Sequence, residues 1–235
     1  YLPLFMQGVL GVSATQSGNL LTPLMMGAVV GSFVSGQTVS RTGKYKAMAI
    51  AGSILIAAGM ILFARMDPST TRTYVAFGMI VAGLGMGLAQ PVYTVAVQNV
   101  APRHQMGTAT SSTIFFRSIG STVGVAAFGS IMLTRYHQEF AAAVPAKVPP
   151  DLVMYFSNPL LLVQLRPQIE ASIARTPGGL LVLRGLFAAV RSSLAHGLER
   201  IFFWSAIIMS AAVVLHLFLR SEPLRTQMAE PALTE

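Results

Sequence analysis

Arg117 is the side chain whose chemistry is hardest to place. It stands in the run 107–134, GTATSSTIFFRSIGSTVGVAAFGSIMLT, where no other charged residue occurs. Thr110, Thr113, Ser121 and Gly124 recur around it at three- and four-residue steps, which on a helix places them on one face. A second stripe, Gly83, Gly87, Gln90, Thr94 and Gln98, runs along 74–98. The chemistry on offer is binding. Hydroxyls and carboxamides exchange hydrogen bonds, and a guanidinium holds an anion or tunes the protonation of a facing acid. With Gln7 near the start, the candidate cavity residues are Gln7, Gln90, Thr94, Gln98, Thr113, Arg117 and Ser121. Pro91 is the candidate kink, because its ring removes one backbone hydrogen bond. Two readings of the stripes stay open: the wall of a water-filled cavity, or helix packing through small-xxx-small pairs such as Gly27/Gly31 and Gly120/Gly124.

No catalytic constellation competes with binding. The long segment 135–198 holds no H-E-x-x-H, no acids paired at helical spacing and no Ser–His–Asp grouping. Neither a metal nor a cofactor is expected, and the chain does not read as an enzyme. Cysteine is absent, which excludes a disulfide framework or a thiolate nucleophile. The Gly83–Gly85–Gly87 run is not a phosphate loop, since no strand precedes it and Leu88 follows, whereas a nucleotide site needs a strand–turn–helix context.

The acids sharpen the question about Arg117. All eight (Asp67, Glu139, Asp151, Glu170, Glu199, Glu222, Glu230, Glu235) fall in loops, the tail or at a span end. An unpaired cation within a membrane costs at least ~2.5–3.5 kcal/mol on insertion scales. Arg117 therefore needs backbone carbonyls, water, a lipid phosphate or an acid from elsewhere, and snorkelling to headgroups is the alternative to lining a cavity. A buried carboxylate is the common proton carrier in membranes, and none is available here. His216, the only imidazole within a span, lies near a helix end, where a structural or interfacial role is expected.

The elements that position these residues follow from composition. The chain is 53% hydrophobic and 10% charged, with a mean hydropathy of +0.63, whereas soluble domains are about a quarter charged. Crossing a bilayer takes roughly 20 apolar residues of helix. Such runs occur at 19–40, 47–64, 74–98, 107–134 and 199–220, with a partial one at about 1–12. The chain opens without Met inside an apolar stretch, so it reads as part of a longer protein whose first helix here is truncated. The expected architecture is an all-α, multi-pass membrane protein. Its net charge of +8 sits at span ends and in one loop, which suits anionic lipid rather than nucleic acid.

Charge also orients the spans. No charged residue precedes Arg41; then Arg41, Lys44 and Lys46 arrive within six positions. Placing that turn in the cytoplasm puts Arg41, Lys44, Lys46, Arg103, Arg220 and Arg225 inside, against Arg65 and Arg72 outside, as the positive-inside rule requires. The turn itself, Gly36, Ser40, Arg41, Gly43, Lys44 and Lys46, fits G-x-x-x-[D/S]-R-x-G-[R/K]-x-[R/K]. It resembles the cytoplasmic loop motif of the major facilitator superfamily, with Ser40 where that family most often has Asp. GLGMGLAQPVYTVAVQNVAP (83–102), GTATSSTIFFRSIGSTVGVAAFGSI (107–131), the opening YLPLFMQ and the ending RSEPLR resemble its fourteen-helix drug:proton antiporter branch. The resemblance covers 1–134 and 199–225.

It implies a six-helix C-terminal half-bundle, with the N-terminal half as its missing partner. It further implies protons and small amphipathic substrates as what is moved, and a bacterial cytoplasmic membrane as the site. Arg41 is expected to cap carbonyl ends of neighbouring helices, with Lys46 a replaceable surface charge. A transporter of a defined metabolite and a non-transporting membrane scaffold are the alternatives. Between the last two spans, 135–198 reads as a long extracytoplasmic loop, and 221–235 as a cytoplasmic tail. Within that loop GLLVLRGLFAAVRSSLAHGL puts Arg184 and Arg191 opposite Leu183, Leu186, Phe187, Val190 and Leu194, the pattern of a helix lying on the membrane surface.

Overall fold

The computed structural model describes residues 1–144, 148, 153, 156, 157, 162 and 179–218. The tail 221–235, with Arg225, and Arg220 before it lie outside the described residues, as does the Pro-rich stretch 145–151 apart from Val148. The described residues are helical and contain no strand. A short helix α1 (Leu2–Leu4) runs into a π-helical turn (Phe5–Val9) and is followed by α2 (Ala14–Asn19). Four long helices come next: α3 (Thr22–Thr42), α4 (Tyr45–Ala64), α5 (Arg72–Val100) and α6 (Met106–Ala143). The last is α7 (Gly179–Phe218). Among the described residues, five helices are long and apolar enough to cross a membrane.

The helix ends have local causes. Pro23 stands in the first turn of α3, where no intrahelical N–H is needed. Gly43 ends α3 at φ +68°, its N–H donating to the Val39 carbonyl, a left-handed cap that glycine adopts at least cost. Thr71 caps α5 by accepting from the Tyr74 N–H. Between α4 and α5 the Asp67 carboxylate accepts from the Ser69 N–H at 2.7 Å and the Ser69 hydroxyl at 2.6 Å. Those bonds hold its pKa below the usual carboxylate range.

Packing runs in the order α3, α5, α4, α7, α6, with α5 wedged between α3 and α4. Glycine makes that wedge possible on two faces of α5. A Cβ on Gly83 or Gly87 would strike the backbone of α3 at Leu24 or Ala28. A Cβ on Gly85 would lie 2.6 Å from the Gly52 carbonyl of α4. The main apolar core lies at the end away from the basic turn. There Phe5 and Met6 meet Phe63 of α4, Met79 of α5, Tyr136 of α6 and Leu194 of α7.

One expectation is corrected. The segment 181–200 does not lie apart as a surface helix; it continues without a break into the last span as α7. At 1.5 Å per residue the 40-residue α7 and the 38-residue α6 are each close to ~60 Å long, well beyond the ~30 Å of a hydrocarbon core. The amphipathic reading had the correct faces, since Leu183, Leu186, Val190 and Leu194 are buried while Arg184 and Arg191 are exposed. The apolar side is covered by protein rather than lipid, because Met132, Tyr136 and Phe140 of α6 join it in one core. Gly197 lets the two backbones approach, as a Cβ there would sit 3.0 Å from the Met132 carbonyl. Helix also replaces both ends of the expected loop, through Ala143 and from Gly179.

Candidate functional site

The candidate residues fall on three elements. On α5, Gln90 is exposed, and Thr94 and Gln98 are half-buried. On α6, Arg117 and Ser121 are exposed and Thr113 half-buried. One pair is brought together directly: Gln98 Nε2 donates to Thr110 Oγ1 at 3.1 Å, tying α5 to α6 just inside the basic end. The hydroxyls of Thr113 and Ser121 donate within their own helix, to the carbonyls of Ala109 (3.0 Å) and Ser118 (2.8 Å). Each keeps its acceptor lone pairs for another group. Arg117 has no hydrogen-bond or ion-pair partner among the described residues. Gln7 lies apart from this set: its Nε2 donates to Ser17 Oγ at 2.8 Å, in the π-helical turn that packs on α7.

The surroundings of α6 separate it from the other long helices. From Met106 to Ile131 it has no buried residue. Gly120 and Gly124 meet nothing within 4 Å, so their small-xxx-small spacing is not used for packing among the described residues. Gly27 and Gly31 behave oppositely. A Cβ on Gly27 would be 2.8 Å from the Ile80 carbonyl, so that pair is used against α5.

Pro91 has a structural counterpart that the sequence reading missed. Proline has no N–H, so the Gly87 carbonyl one turn earlier loses its intrahelical donor. The Ser32 hydroxyl of α3 approaches that carbonyl at 3.3 Å, and Ser35 donates to the Leu88 carbonyl at 2.9 Å. The carbonyls around Pro91 are thus supplied with donors by the neighbouring helix, as membrane-embedded prolines require. The signal was present, because Ser35 continues the Gly27/Gly31 spacing by one further turn.

The basic turn departs from expectation in its division of labour. Lys46 Nζ donates to the Leu217 carbonyl at 2.8 Å, so Lys46 caps the last turn of α7, where a cation is favoured by the helix dipole. Arg41 is exposed and has no partner among the described residues. The capping role therefore belongs to Lys46, since α4 starts at Tyr45 and its first turn faces the end of α7. Near it, Ser53 Oγ lies 3.1 Å from His216 Nδ1, and Tyr93 stacks on the His216 ring. None of these cross-helix pairs follows from spacing within one element.

Comparison with known proteins adds what one chain cannot supply. Residues 1–125 match the family model of the Major Facilitator Superfamily. The chain belongs to that superfamily. It is similar to the multidrug transporter protein MdtP of Bacillus subtilis (strain 168), at 31% identity over 98% of this chain and 44% of that protein. The tetracycline resistance determinant of Streptomyces rimosus is 28% identical over 93% of this chain and 65% of its own length. Multidrug resistance protein 3 of Bacillus subtilis (strain 168) is 34% identical over 56% of this chain and 25% of its length. The chain thus spans under half of MdtP and just under two thirds of the Streptomyces protein. Family and helices together make it an integral, multi-pass membrane protein with a partial major facilitator fold.

Proposed function

We propose that this chain is the C-terminal half of a proton-coupled exporter of small amphipathic compounds, working by alternating access against an N-terminal half. The observation that carries this reading is the bare midsection of α6. A helix with Thr113, Arg117, Ser121, Gly120 and Gly124 along one face and no buried residue from Met106 to Ile131 among the described residues needs a partner or water there, because polar side chains are costly against lipid. The other half supplies that cover, with the substrate path between the halves and Gln90, Thr94 and Gln98 beside it. The glycine-packed wedge of α3, α5 and α4 supports the reading as the rigid body against which rocking occurs.

In this account the basic end, carrying Arg41, Lys44, Lys46 and Arg103, faces the cytoplasm of a bacterial cell. Single cysteines at Lys44 and His104 are then labelled only from inside, and one at Ala142 only from outside. MdtP is named a multidrug transporter and the Streptomyces relative a tetracycline resistance determinant, and these names favour export of drug-like compounds over uptake of a metabolite.

Arg117 tests the reading. Its charge serves an anion, a substrate carboxylate or an acid across the interface, and its planar fork serves it better than an ammonium. Dye efflux driven by a proton gradient is measured across a pH series with both halves present, normalised to protein in the membrane. Arg117→Lys loses much of the efflux, and Arg117→Leu inserts well yet fails to export or shifts the pH profile. Near-wild-type efflux and an unchanged profile for Arg117→Leu would leave Arg117 a structural residue and remove the cavity reading.

A further inference from the structure

His216 is a titratable side chain that the account above leaves without a task. It sits half-buried in the last turn of α7, between α4 and α5. Its Nδ1 is 3.1 Å from Ser53 Oγ, and its ring stacks on Tyr93 with centroids 5.6 Å apart and planes inclined by 26°. Ser53 is fully buried, and its hydroxyl lies 2.9 Å from the Ala49 carbonyl one turn back.

The direction of these bonds follows from counting hydrogens. A hydroxyl has one hydrogen and a carbonyl can only accept. Ser53 therefore donates to Ala49 and accepts from His216. With both contacts made as hydrogen bonds, Nδ1 carries a hydrogen in the neutral and the charged ring alike, and the second proton binds at Nε2. Nothing among the described residues hydrogen-bonds to Nε2.

The charged and titratable neighbours are few. From α4 comes Lys46, on the adjacent Leu217 carbonyl, with Lys44 and the buried Tyr45 beside it. From α5 comes Tyr93, and α7 itself ends in carbonyls whose partial negative charge suits a cation. No acid among the described residues shares this end. Asp67 and Glu139 lie at the other, and Glu199 is about 26 Å back along α7.

We infer that His216 is a proton-binding site of this half, held by Ser53 and Tyr93 with Nδ1–H fixed and Nε2 taking up and releasing the proton. The proton comes from water at the basic end and bonds to the Nε2 lone pair; no other bond breaks. Charging the ring places a second cation beside the Lys46 ammonium at the end of α7. Use of this proton in the transport cycle rests on the export reading, whereas the site does not.

The test reads the ring directly. The full chain, labelled with 15N in its imidazoles, is placed in lipid and followed by NMR from acid to alkaline pH. His216→Asn identifies the His216 signals, and its side-chain amide keeps a donor for Ser53 but cannot titrate. The expected result is an Nδ1 that stays protonated throughout while Nε2 alone moves from the N–H to the acceptor position. A neutral ring protonated on Nε2, or a ring whose spectrum never changes, overturns the site.

With both halves present, His216→Asn should flatten the pH dependence of efflux. An unchanged pH profile overturns the use of the proton in transport. A wild-type protein that exports nothing at any pH defeats the export reading instead, and leaves the NMR result to decide the site.

Discussion

Along α5 the small residues are used for contact: Gly83 and Gly87 lie under the backbone of α3, and Gly85 lies under Gly52 of α4. Along α6 the same residue type at the same spacing, Gly120 and Gly124, touches nothing among the described residues. Both helices carry polar stripes, yet one is wedged between neighbours and the other has no buried residue over its middle among the described residues. The difference teaches that spacing reports a close approach without saying whether the approaching partner is in the same chain. For α5 the partner is α3 and α4. For α6 it is proposed to be the other half of the transporter.

The comparison breaks most visibly at its glycines. Gly87→Leu should cost more than about 3 kcal/mol, the upper end of ordinary overpacking, because the obstacle is backbone rather than a movable side chain. Gly120→Leu should change the stability of this chain by less than about 0.5 kcal/mol, as an open surface position does. Denaturation midpoints in mixed micelles distinguish the two. If the halves meet at α6, Gly120→Leu should nevertheless weaken co-purification of a tagged N-terminal half. Equal destabilisation by both substitutions would erase the contrast.

Gly43→Val comes next. At φ +68° a side chain costs about 1–2 kcal/mol, so the midpoint should fall measurably without loss of the fold. Ser35→Ala should follow at about 0.5–1.5 kcal/mol, the net value of a hydrogen bond. It sharpens the picture of α5, because combining it with Pro91→Ala should differ from the sum of the single effects if α3 supports the kink. The smallest effect is at the basic turn. Lys46→Ala should cost about 0.3–1 kcal/mol through loss of the α7 cap, with Arg41→Ala nearer zero, as measured by the same midpoints. A larger loss for Arg41→Ala would return the capping role to it.

Much of this fold is legible in the sequence because hydrophobic runs and charge-free blocks are properties of single helices. The apolar run after Lys46 had to become a span, and Gly43 had to end a helix. The face of α7 that carries Leu186, Val190 and Leu194 was legible for the same reason. What covers that face was not, because Tyr136 and Phe140 arrive from a helix more than forty residues earlier. The candidate site divides similarly. Gln98 and Thr110 could each be placed on a stripe, yet their hydrogen bond depends on how α5 and α6 cross. Gln7 looked like a cavity residue, but its partner Ser17 lies in α2 after a sharp turn at Gly11, where φ is +69°. Lys46 and His216 find partners across 171 and 163 residues of chain, a separation at which local pattern carries no information.

The central claim is that the polar face of α6 meets water and a second half-bundle while its opposite face meets lipid. The chain contains no cysteine, so single cysteines can be placed on α6 with no background from this half. Maleimide reacts with a thiolate and therefore needs water at the site. With both halves present in native membranes, cysteines at Thr113, Arg117 and Ser121 should react, and their reaction should slow when an exported dye is added. Cysteines at Phe115 and Ile119, on the other side of the helix, should remain unreactive. Reaction at Phe115 and Ile119 equal to that at Arg117, or no reaction at any of the five, would contradict the account.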